Sequence, residues 1–293
     1  MLRKYFPVIG ILALVLTVSG LFAANSIRQE HNHARAEAGR DVIVRLSMII
    51  GEVQRERALV STFGSTRIRS SHNENEAFRD VSSVDAYREM LVPDIQRHVG
   101  AGGLLYRHRV ALSDIYPSLE RLDSIRAAAR ADEADPLETF IAYGEVISVL
   151  QTASDGLYED LDIPHSHQSI EPKLVYLAEY LERERGYGLM NITGVASQLE
   201  LTRARQANLA ALADLQSEIQ AEHSDDQLTS LLAPFMAEIP QIDGQFTGVT
   251  LASNDPEAVQ AIHDWFGALS SQINHARLLH TRLLAESDDE SVS

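Results

Sequence analysis

Apolar residues recur every three or four positions over long stretches of this 293-residue chain, and this period constrains its fold most strongly. The spacing places apolar side chains on one face of an α-helix, and few runs alternate with the period of two that a half-buried strand needs. One stripe comprises Leu46, Ile50, Val53 and Val60, and a second runs from Leu174 to Ile192. We therefore predict an all-α fold.

Clusters of proline, glycine and small polar residues interrupt the helical pattern and mark the expected helix ends. They fall at residues 70–75, 100–103, 131–136, 162–168, 223–226, 238–244 and 253–256. Two of them, Asp135-Pro136-Leu137-Glu138 and Asn254-Asp255-Pro256-Glu257, combine a capping side chain, a proline at the first helical position and an early acid. These breaks predict about eight helices after the N-terminal segment.

The 23 residues between Lys4 and Arg28 carry no charge. About 20 apolar residues cross a bilayer core, and basic residues before such a span favour a cytoplasmic N-terminus. A cleaved signal peptide is the alternative, although the candidate cleavage sites place Leu21 or Phe22 where a small residue is preferred. We predict an uncleaved transmembrane anchor over residues 1–27, in the inner (cytoplasmic) membrane, with the remaining chain in the periplasm.

Composition narrows the classes of function. The formal charge of −17 opposes binding to nucleic acid, so no nucleic-acid partner is expected. The absence of cysteine excludes disulfides, thiol nucleophiles and thiolate metal sites. The histidine pairs at 31/33 and 165/167 lack a third ligand at a fixed spacing, so we expect no metal site. No catalytic signature is found, and we expect neither an enzyme nor a cofactor.

A short internal repeat divides the chain into halves. The segments Val53–Ala58 and Leu181–Gly186 share an apolar-x-Arg-Glu-Arg-small pattern 128 residues apart. Each half has about four helices, which suits one antiparallel bundle. We predict two antiparallel four-helix bundles after the transmembrane helix, at residues 28–165 and 166–286, followed by an acidic tail at 287–293.

One arginine in each repeat occupies a position that the helical pattern reserves for the core. Arg57 continues the stripe that contains Leu46 and Val53, and Arg185 does the same in the second half. Arg55 and Arg183, about 200° around the helix, should face solvent. Because a guanidinium does not lose its proton, a buried arginine needs a carboxylate, carbonyl groups or a bound anion.

Two interpretations of these arginines stay open. In the first, they form internal ion pairs with Glu56 or Glu184, and Glu182 pairs directly with Arg185. In the second, facing guanidinium groups hold a small planar oxyanion in a dry cleft, and Gln54 hydrogen-bonds the ligand without neutralising Arg57. The small residues beside them, Ala58, Gly186 and Gly188, leave space for a ligand or for close helix packing.

Three segments resemble the nitrate- and nitrite-sensing (NIT) domain of bacterial chemoreceptors, histidine kinases and antiterminators. They are Gln54-Arg55-Glu56-Arg57-Ala58, Glu184-Arg185-Gly186 and the late helix from Trp265 to Asn274. The resemblance covers about Val42 to Leu284 and implies a double four-helix bundle that binds nitrate or nitrite through arginines, here Arg57 and Arg185. It also implies a further arginine in the second half, yet no lysine or arginine occurs from Gln206 to Ala276.

These observations predict a membrane-anchored, extracytoplasmic sensor that binds nitrate or nitrite and passes a conformational change to a partner. The expected ligand-binding residues are Arg57, Arg185 and Gln54, with possible support from Glu56, Glu182 and Glu184. The expected protein partners are a second copy, forming a homodimer, and a separate signalling or membrane protein. The alternatives are a ligand-free helical scaffold that binds another membrane protein, and a solute-binding or buffering protein without signalling.

Overall fold

The computed structural model describes residues 6–63, 81–131, 134–160, 170–192, 195–221 and 256–290, together with positions 230, 233, 235 and 237. Helices dominate these ranges and no strand occurs in them, so the all-α prediction is confirmed. A short 3-10 turn at Tyr106–His108 precedes α3. The helices are α1 (Phe6–Phe63), α2 (Val81–Val99), α3 (Arg109–Ser113), α4 (Ile115–Arg130), α5 (Pro136–Asp160), α6 (Ile170–Ile192), α7 (Gln198–Ala221) and α8 (Pro256–Glu290).

Local sequence signals set several helix boundaries. Helix α5 begins at Pro136, and the Asp135 carboxylate accepts a hydrogen bond from the Leu137 N–H at 2.7 Å, as the capping pattern predicts. Helix α8 begins at the predicted Pro256. The break at 100–103 is confirmed, with Gly102 at a φ of 83° that favours glycine. The breaks predicted at 70–75, 162–168, 223–226 and 238–244 lie outside the described residues.

The break between α6 and α7 is not among the predicted ones, although a capping box marks it. The Ser197 N–H donates to the Glu200 carboxylate at 2.6 Å, and the Glu200 N–H donates to the Ser197 hydroxyl at 3.3 Å. Asn191, near the end of α6, donates to the Ala196 carbonyl at 3.0 Å. These bonds satisfy backbone groups where one helix ends and the next begins.

The helices enclose two main hydrophobic cores. The first is built from α1, α2, α4 and α5, and includes the predicted stripe of Leu46, Ile50, Val53 and Val60. The second is built from α6, α7 and α8, and Phe235 also packs into it. Helix α1 packs along α5 and also contacts α6 and α8. The first half therefore meets the second mainly along α1.

Two glycines of α6 allow aromatic rings to pack directly against its backbone. A Cβ atom on Gly188 would lie 2.0 Å from Cη2 of Trp265, and one on Gly186 would lie 2.3 Å from Cε2 of Phe140. Both distances are far below van der Waals contact, so an alanine would force the rings to move. Close packing is therefore the role of these glycines, because the rings fill the space beside them.

Within the described residues, no helix is long and apolar enough to cross a membrane. The anchor predicted at residues 1–27 falls mostly outside the residues whose side chains are described. Helix α1 is exposed throughout residues 21–33, and the first buried side chain after them is Ala36. The prediction of an anchor stays a prediction.

Candidate functional site

Two buried glutamates of α6 connect three helices where the halves of the chain meet. Glu179 and Glu182 are each 2% exposed, and arginine or glutamine side chains from α1, α6 and α8 donate hydrogen bonds to them. We call this set the arginine network, and it consists of Gln54, Arg57, Glu179, Glu182, Arg183, Arg185 and Arg277.

Arg57 is the most deeply buried cation of the network, at 1% exposure. Its Nη1 and Nη2 atoms donate to the two carboxylate oxygens of Glu179 at 2.7 and 3.1 Å, which is a bidentate pair. Its guanidinium carbon lies 4.4 Å from the centre of the Phe140 ring, and its buried Nε has no hydrogen-bond partner among the described residues. The predicted burial of Arg57 is confirmed.

In the interpretation of internal ion pairs, Glu56 or Glu184 is the expected partner of Arg57 and Arg185, and this choice of partners is wrong. Glu56 projects from a different face of α1 into the first core. There Arg126 donates two hydrogen bonds to its carboxylate, at 2.6 and 2.8 Å, and the Tyr143 hydroxyl donates another. Glu184 likewise accepts bonds from Arg205 at 3.1 and 3.2 Å in the second half. The central glutamate of each repeat therefore holds an arginine within its own half of the chain.

Glu179 is ionised despite its burial. Burial raises the pKa of this carboxyl group, but Arg57 and Arg183 outweigh that effect and hold the pKa below its ordinary value. Arg183 donates through Nε at 2.6 Å, while its side chain is 39% exposed, as its predicted outward position requires. Gln54 adds a third donor at 2.8 Å. The contact between Arg57 and Glu179 is thus a charged pair.

Glu182 is shared by two arginines. Arg185 donates to it at 2.6 Å, as predicted from their i, i+3 spacing, and Arg277 donates to its other oxygen at 3.0 Å. Arg185 also donates to the Ser270 hydroxyl at 2.9 Å and lies 5.2 Å from the Phe266 ring. The second repeat segment, which contains Arg185, therefore contacts α8.

Gln54 joins the two carboxylates into one continuous network. Its amide nitrogen donates to Glu179 at 2.8 Å, and its amide oxygen accepts a bond from Nη2 of Arg277 at 2.6 Å. Arg277 is a functional candidate that the sequence analysis missed. It follows directly after the stretch without cations and continues the four-residue series Trp265, Leu269, Ile273, which is a signal that could have found it.

The network carries a positive charge inside an acidic protein. Four guanidinium groups (Arg57, Arg183, Arg185 and Arg277) share two carboxylates, so 4 − 2 gives +2. Burial lowers the pKa of Arg277, and the nearby Arg185 and Arg55 lower it further, while Glu182 raises it. A guanidinium stays protonated under such conditions, so the excess charge persists.

A cavity of about 280 Å³ lies beside the network, between α1, α2, α6 and α8. Gln54 and Arg277 line it, whereas Arg57 and Arg185 do not. In the described part of the chain, Arg277 uses only Nη2 for hydrogen bonds, which leaves donors at Nε and Nη1. The remaining lining residues are Val44, Ser47, Met48, Ile50, Gly51, Glu52, Arg55, Tyr87, Leu174, Val175, Ala178, Asn274, His280 and Thr281.

A model of the family described as nitrate and nitrite sensing matches residues 49–288 of this chain. The chain belongs to the NIT family. Membership implies the sensing of nitrate or nitrite, and the match includes every residue of the arginine network.

Among solved structures, this NIT domain is similar to one titled "Structure of the NasR transcription antiterminator". The two share 16% sequence identity and a TM-score of 0.71, with 93% of this chain and 74% of that chain covered. At this identity the likeness concerns the fold. No curated protein matches this chain.

The structure thus brings some predicted site residues of this NIT domain together and separates others. Gln54, Arg57, Arg185 and Glu182 lie in one network, whereas Glu56 and Glu184 lie in separate ion pairs. Within the described ranges, no group of three histidine, aspartate or glutamate side chains could hold a metal ion. His31 and His33 are exposed on α1, and residues 165 and 167 lie outside the described residues.

Proposed function

We propose that this chain senses nitrate or nitrite by binding the anion at the arginine network, on the side that faces the cavity. The observation that carries the proposal is the excess of two positive charges at a recessed site where Arg277 has unused donors. Guanidinium N–H groups match the oxygens of a small planar oxyanion. Gln54 lines the cavity beside Arg277 and would bond the anion directly. Arg57 and Arg185, which do not line the cavity, would complete the set of ligand-binding residues where the anion displaces their carboxylate partners Glu179 and Glu182.

An anion at this site would compete with the internal carboxylates. Glu182 now joins Arg185 of α6 to Arg277 of α8, and Gln54 joins α1 to α8. An anion that takes over part of the bonding of Arg277 would weaken these contacts and shift α8 relative to α1. Such a difference in contacts between the free and bound states is what allows a ligand to move a conformational equilibrium.

The binding test uses thermal unfolding of the full-length chain in nitrate, nitrite or chloride at equal ionic strength. At 100 times its dissociation constant, a ligand stabilises the folded state by about 2.7 kcal/mol, or several degrees in a chain of this size. Arg277→Gln should remove the nitrate-specific shift. Arg121→Gln, which alters the exposed ion pair with Glu145, should keep it. A full shift in Arg277→Gln, or no shift in the wild type, would contradict the proposal.

We also propose two antiparallel four-helix bundles, at residues 28–165 and 166–286, preceded by a single-pass anchor at 1–27 in the inner membrane. The two cores support the division, and the uncharged stretch supports the anchor. The bulk of the chain would be extracytoplasmic. Retention in carbonate-washed membranes, lost on deletion of residues 1–27, is the expected result. Release of the intact full-length chain by the same wash would count against an anchor.

The proposed output is a conformational change relayed through α1 to a separate signalling or membrane protein, with a second copy as the dimer partner. The exposed stretch of α1 at residues 21–33 supports pairing between copies. We assign the chain a binding role without catalysis, and its charge argues against a nucleic-acid partner. Crosslinking in membranes, with and without nitrate, would test both contacts, and a pattern that ignores nitrate would contradict the relay.

The second candidate is a ligand-free helical scaffold that binds another membrane protein. One observation favours it, because Arg57 and Arg185 already bond to Glu179 and Glu182. Arginines with internal partners need no anion for stability. The two candidates separate in the nitrate experiment, since a scaffold would retain its protein partner yet show no nitrate-specific shift.

A further inference from the structure

We propose that the cavity also binds a small monocarboxylate with a compact apolar body, of the size of a benzene ring. Its carboxylate would bond to Arg277, and its body would lie against α1 and α6. The inference rests on the proposed function in one respect, since both ligands would use the same cationic end of the cavity. The inference goes beyond the proposed function because it assigns a role to the apolar part of the cavity lining.

The size of the cavity is the first argument. Its volume is about 280 Å³, whereas a buried cavity of about 150 Å³ in a helical protein already accommodates benzene. Pockets for organic ligands begin at about 300 Å³. A four-atom oxyanion at Arg277 would leave most of this cavity unoccupied by the ligand. A ring that carries one carboxylate has the appropriate dimensions.

The distribution of polarity is the second argument. Arg277 and Gln54 lie among the lining residues contributed by the network, while Val44, Ile50, Leu174, Val175 and Ala178 supply apolar lining from α1 and α6. Nitrate has no apolar surface to place against these side chains. A ligand with one charged and one apolar end would satisfy both parts, which is the usual composition of a small-molecule site.

The third argument is that this network already recognises carboxylates. Glu179 binds Arg57 in a bidentate arrangement, and Glu182 bridges Arg185 and Arg277. The unused Nε and Nη1 donors of Arg277 offer a further carboxylate the same chemistry. The Nε atom lies near Gly51, where a Cβ atom would be 3.5 Å away, so the glycine leaves the guanidinium accessible from the cavity.

The other titratable groups of the cavity do not cancel this charge. Glu52 pairs with Arg55 at 2.9 Å, and the two neutralise each other. Burial lowers the pKa of His280 to about 4, so this histidine is neutral near neutral pH. Arg277 shares the Glu182 carboxylate with Arg185, so two cations face one anion. The cavity therefore presents a net positive charge together with an apolar wall.

The test is calorimetric titration of the full-length chain with benzoate, acetate, benzyl alcohol and nitrate at constant ionic strength in chloride. Benzoate should bind at least about tenfold more tightly than acetate, which lacks the ring, or benzyl alcohol, which lacks the charge. Arg277→Gln should abolish binding of benzoate and of nitrate.

Filling the apolar part of the cavity separates the two ligands. Ala178→Val should weaken benzoate by about tenfold or more and leave nitrate binding nearly unchanged. Ala153→Val, at a buried alanine of the first core that does not line the cavity, should leave both unchanged. Val175→Phe, at a half-buried position, provides the same block if Ala178→Val does not fold.

Two results would overturn the inference. Benzoate that binds no more tightly than acetate would show that the apolar wall contributes nothing, and benzoate binding that survives both filling variants would place the ligand elsewhere. Nitrate binding without benzoate binding would refute this inference alone. Benzoate binding without nitrate binding would instead refute the proposed sensing of nitrate.

Discussion

Replacement of Glu179 by glutamine should destabilise the fold strongly, because it leaves Arg57 charged and buried. In the wild type, Arg57 is 1% exposed and both of its Nη atoms donate to the Glu179 carboxylate. The glutamine is nearly isosteric, so Glu179→Gln removes the negative charge and one acceptor while it keeps the shape. The variant therefore isolates the electrostatic contribution of the carboxylate.

The magnitude follows from the burial of both partners. Removal of one member of a buried ion pair costs about 3–5 kcal/mol, because the remaining charge stays away from water. The amide oxygen of the new glutamine still accepts one bond, and Arg183 is 39% exposed and regains water. We therefore expect a loss near the lower limit, about 3 kcal/mol.

Urea unfolding of the full-length chain would measure this loss as a lower midpoint at an unchanged dependence on urea. The matched control is Glu145→Gln, because Glu145 pairs with Arg121 at 2.6 Å but both side chains are about half exposed. That exposed pair should contribute at most about 1 kcal/mol. A Glu179→Gln variant as stable as the control would refute the assignment of Arg57 as a buried cation that depends on this carboxylate.

Nitrate should then stabilise Glu179→Gln more than the wild type. With the carboxylate removed, an anion that reaches Arg57 would replace the lost charge, and its binding energy would add to the stability of the folded state. Equal nitrate-dependent stabilisation of the two proteins would mean that the anion does not reach Arg57. The location of the ligand would then be restricted to Arg185 and Arg277.

Three further predictions concern packing and pH. Gly188→Ala should destabilise the fold by about 1–3 kcal/mol, because the new methyl group clashes with Trp265. Gly267→Ala should stabilise the fold by up to about 1 kcal/mol, because a Cβ atom there meets open space and alanine favours the helix. Urea unfolding would measure both changes. Burial raises the pKa of Glu171 to about 7 in the folded state, whereas the same carboxyl group loses its proton near pH 4.5 in the unfolded chain. The free energy of unfolding therefore falls as the pH rises from 4.5 to 7. Over that range Glu171→Gln should gain about 3 kcal/mol of stability relative to the wild type. Burial lowers the pKa of His280 to about 4, so stability is lost as pH falls from 6.5 to 4, and His280→Gln should remove that loss. Unfolding midpoints that track the wild type at every pH would contradict the last two predictions.

The period of the helical stripe made the burial of Arg57 predictable from the sequence. Its spacing from Val53 and Val60 is a local property, and all three are at most 1% exposed. The partner of Arg57 was not predictable in the same way. Glu56 is adjacent in sequence but projects from a different face of α1, whereas Glu179 is 122 residues away and reaches Arg57 only through the packing of α6 against α1.

Arg277 is a second residue whose long-range contacts could not be predicted from the local sequence. Its helix was predicted correctly from Pro256 onward, and its position in the series after Trp265 is visible in the sequence. Nothing local shows that α8 lies beside both Gln54 and Glu182, because those contacts span 223 and 95 residues. A helical pattern defines the faces of each helix, but long-range packing decides which faces share a site.

The proposed binding of an anion at the arginine network is compatible with the acidity of the chain. The formal charge of −17 is spread over the molecule, and salt screens exposed charges beyond about 8 Å at physiological ionic strength. Each of the four guanidinium groups of the network lies within hydrogen-bond distance of Glu179 or Glu182, and the burial of these two carboxylates reduces screening. The local excess of two positive charges would therefore dominate the interaction energy of an anion bound at Arg277. The distant acids would act mainly on the association rate of the anion, so the overall charge of the chain would not set the affinity of the proposed site.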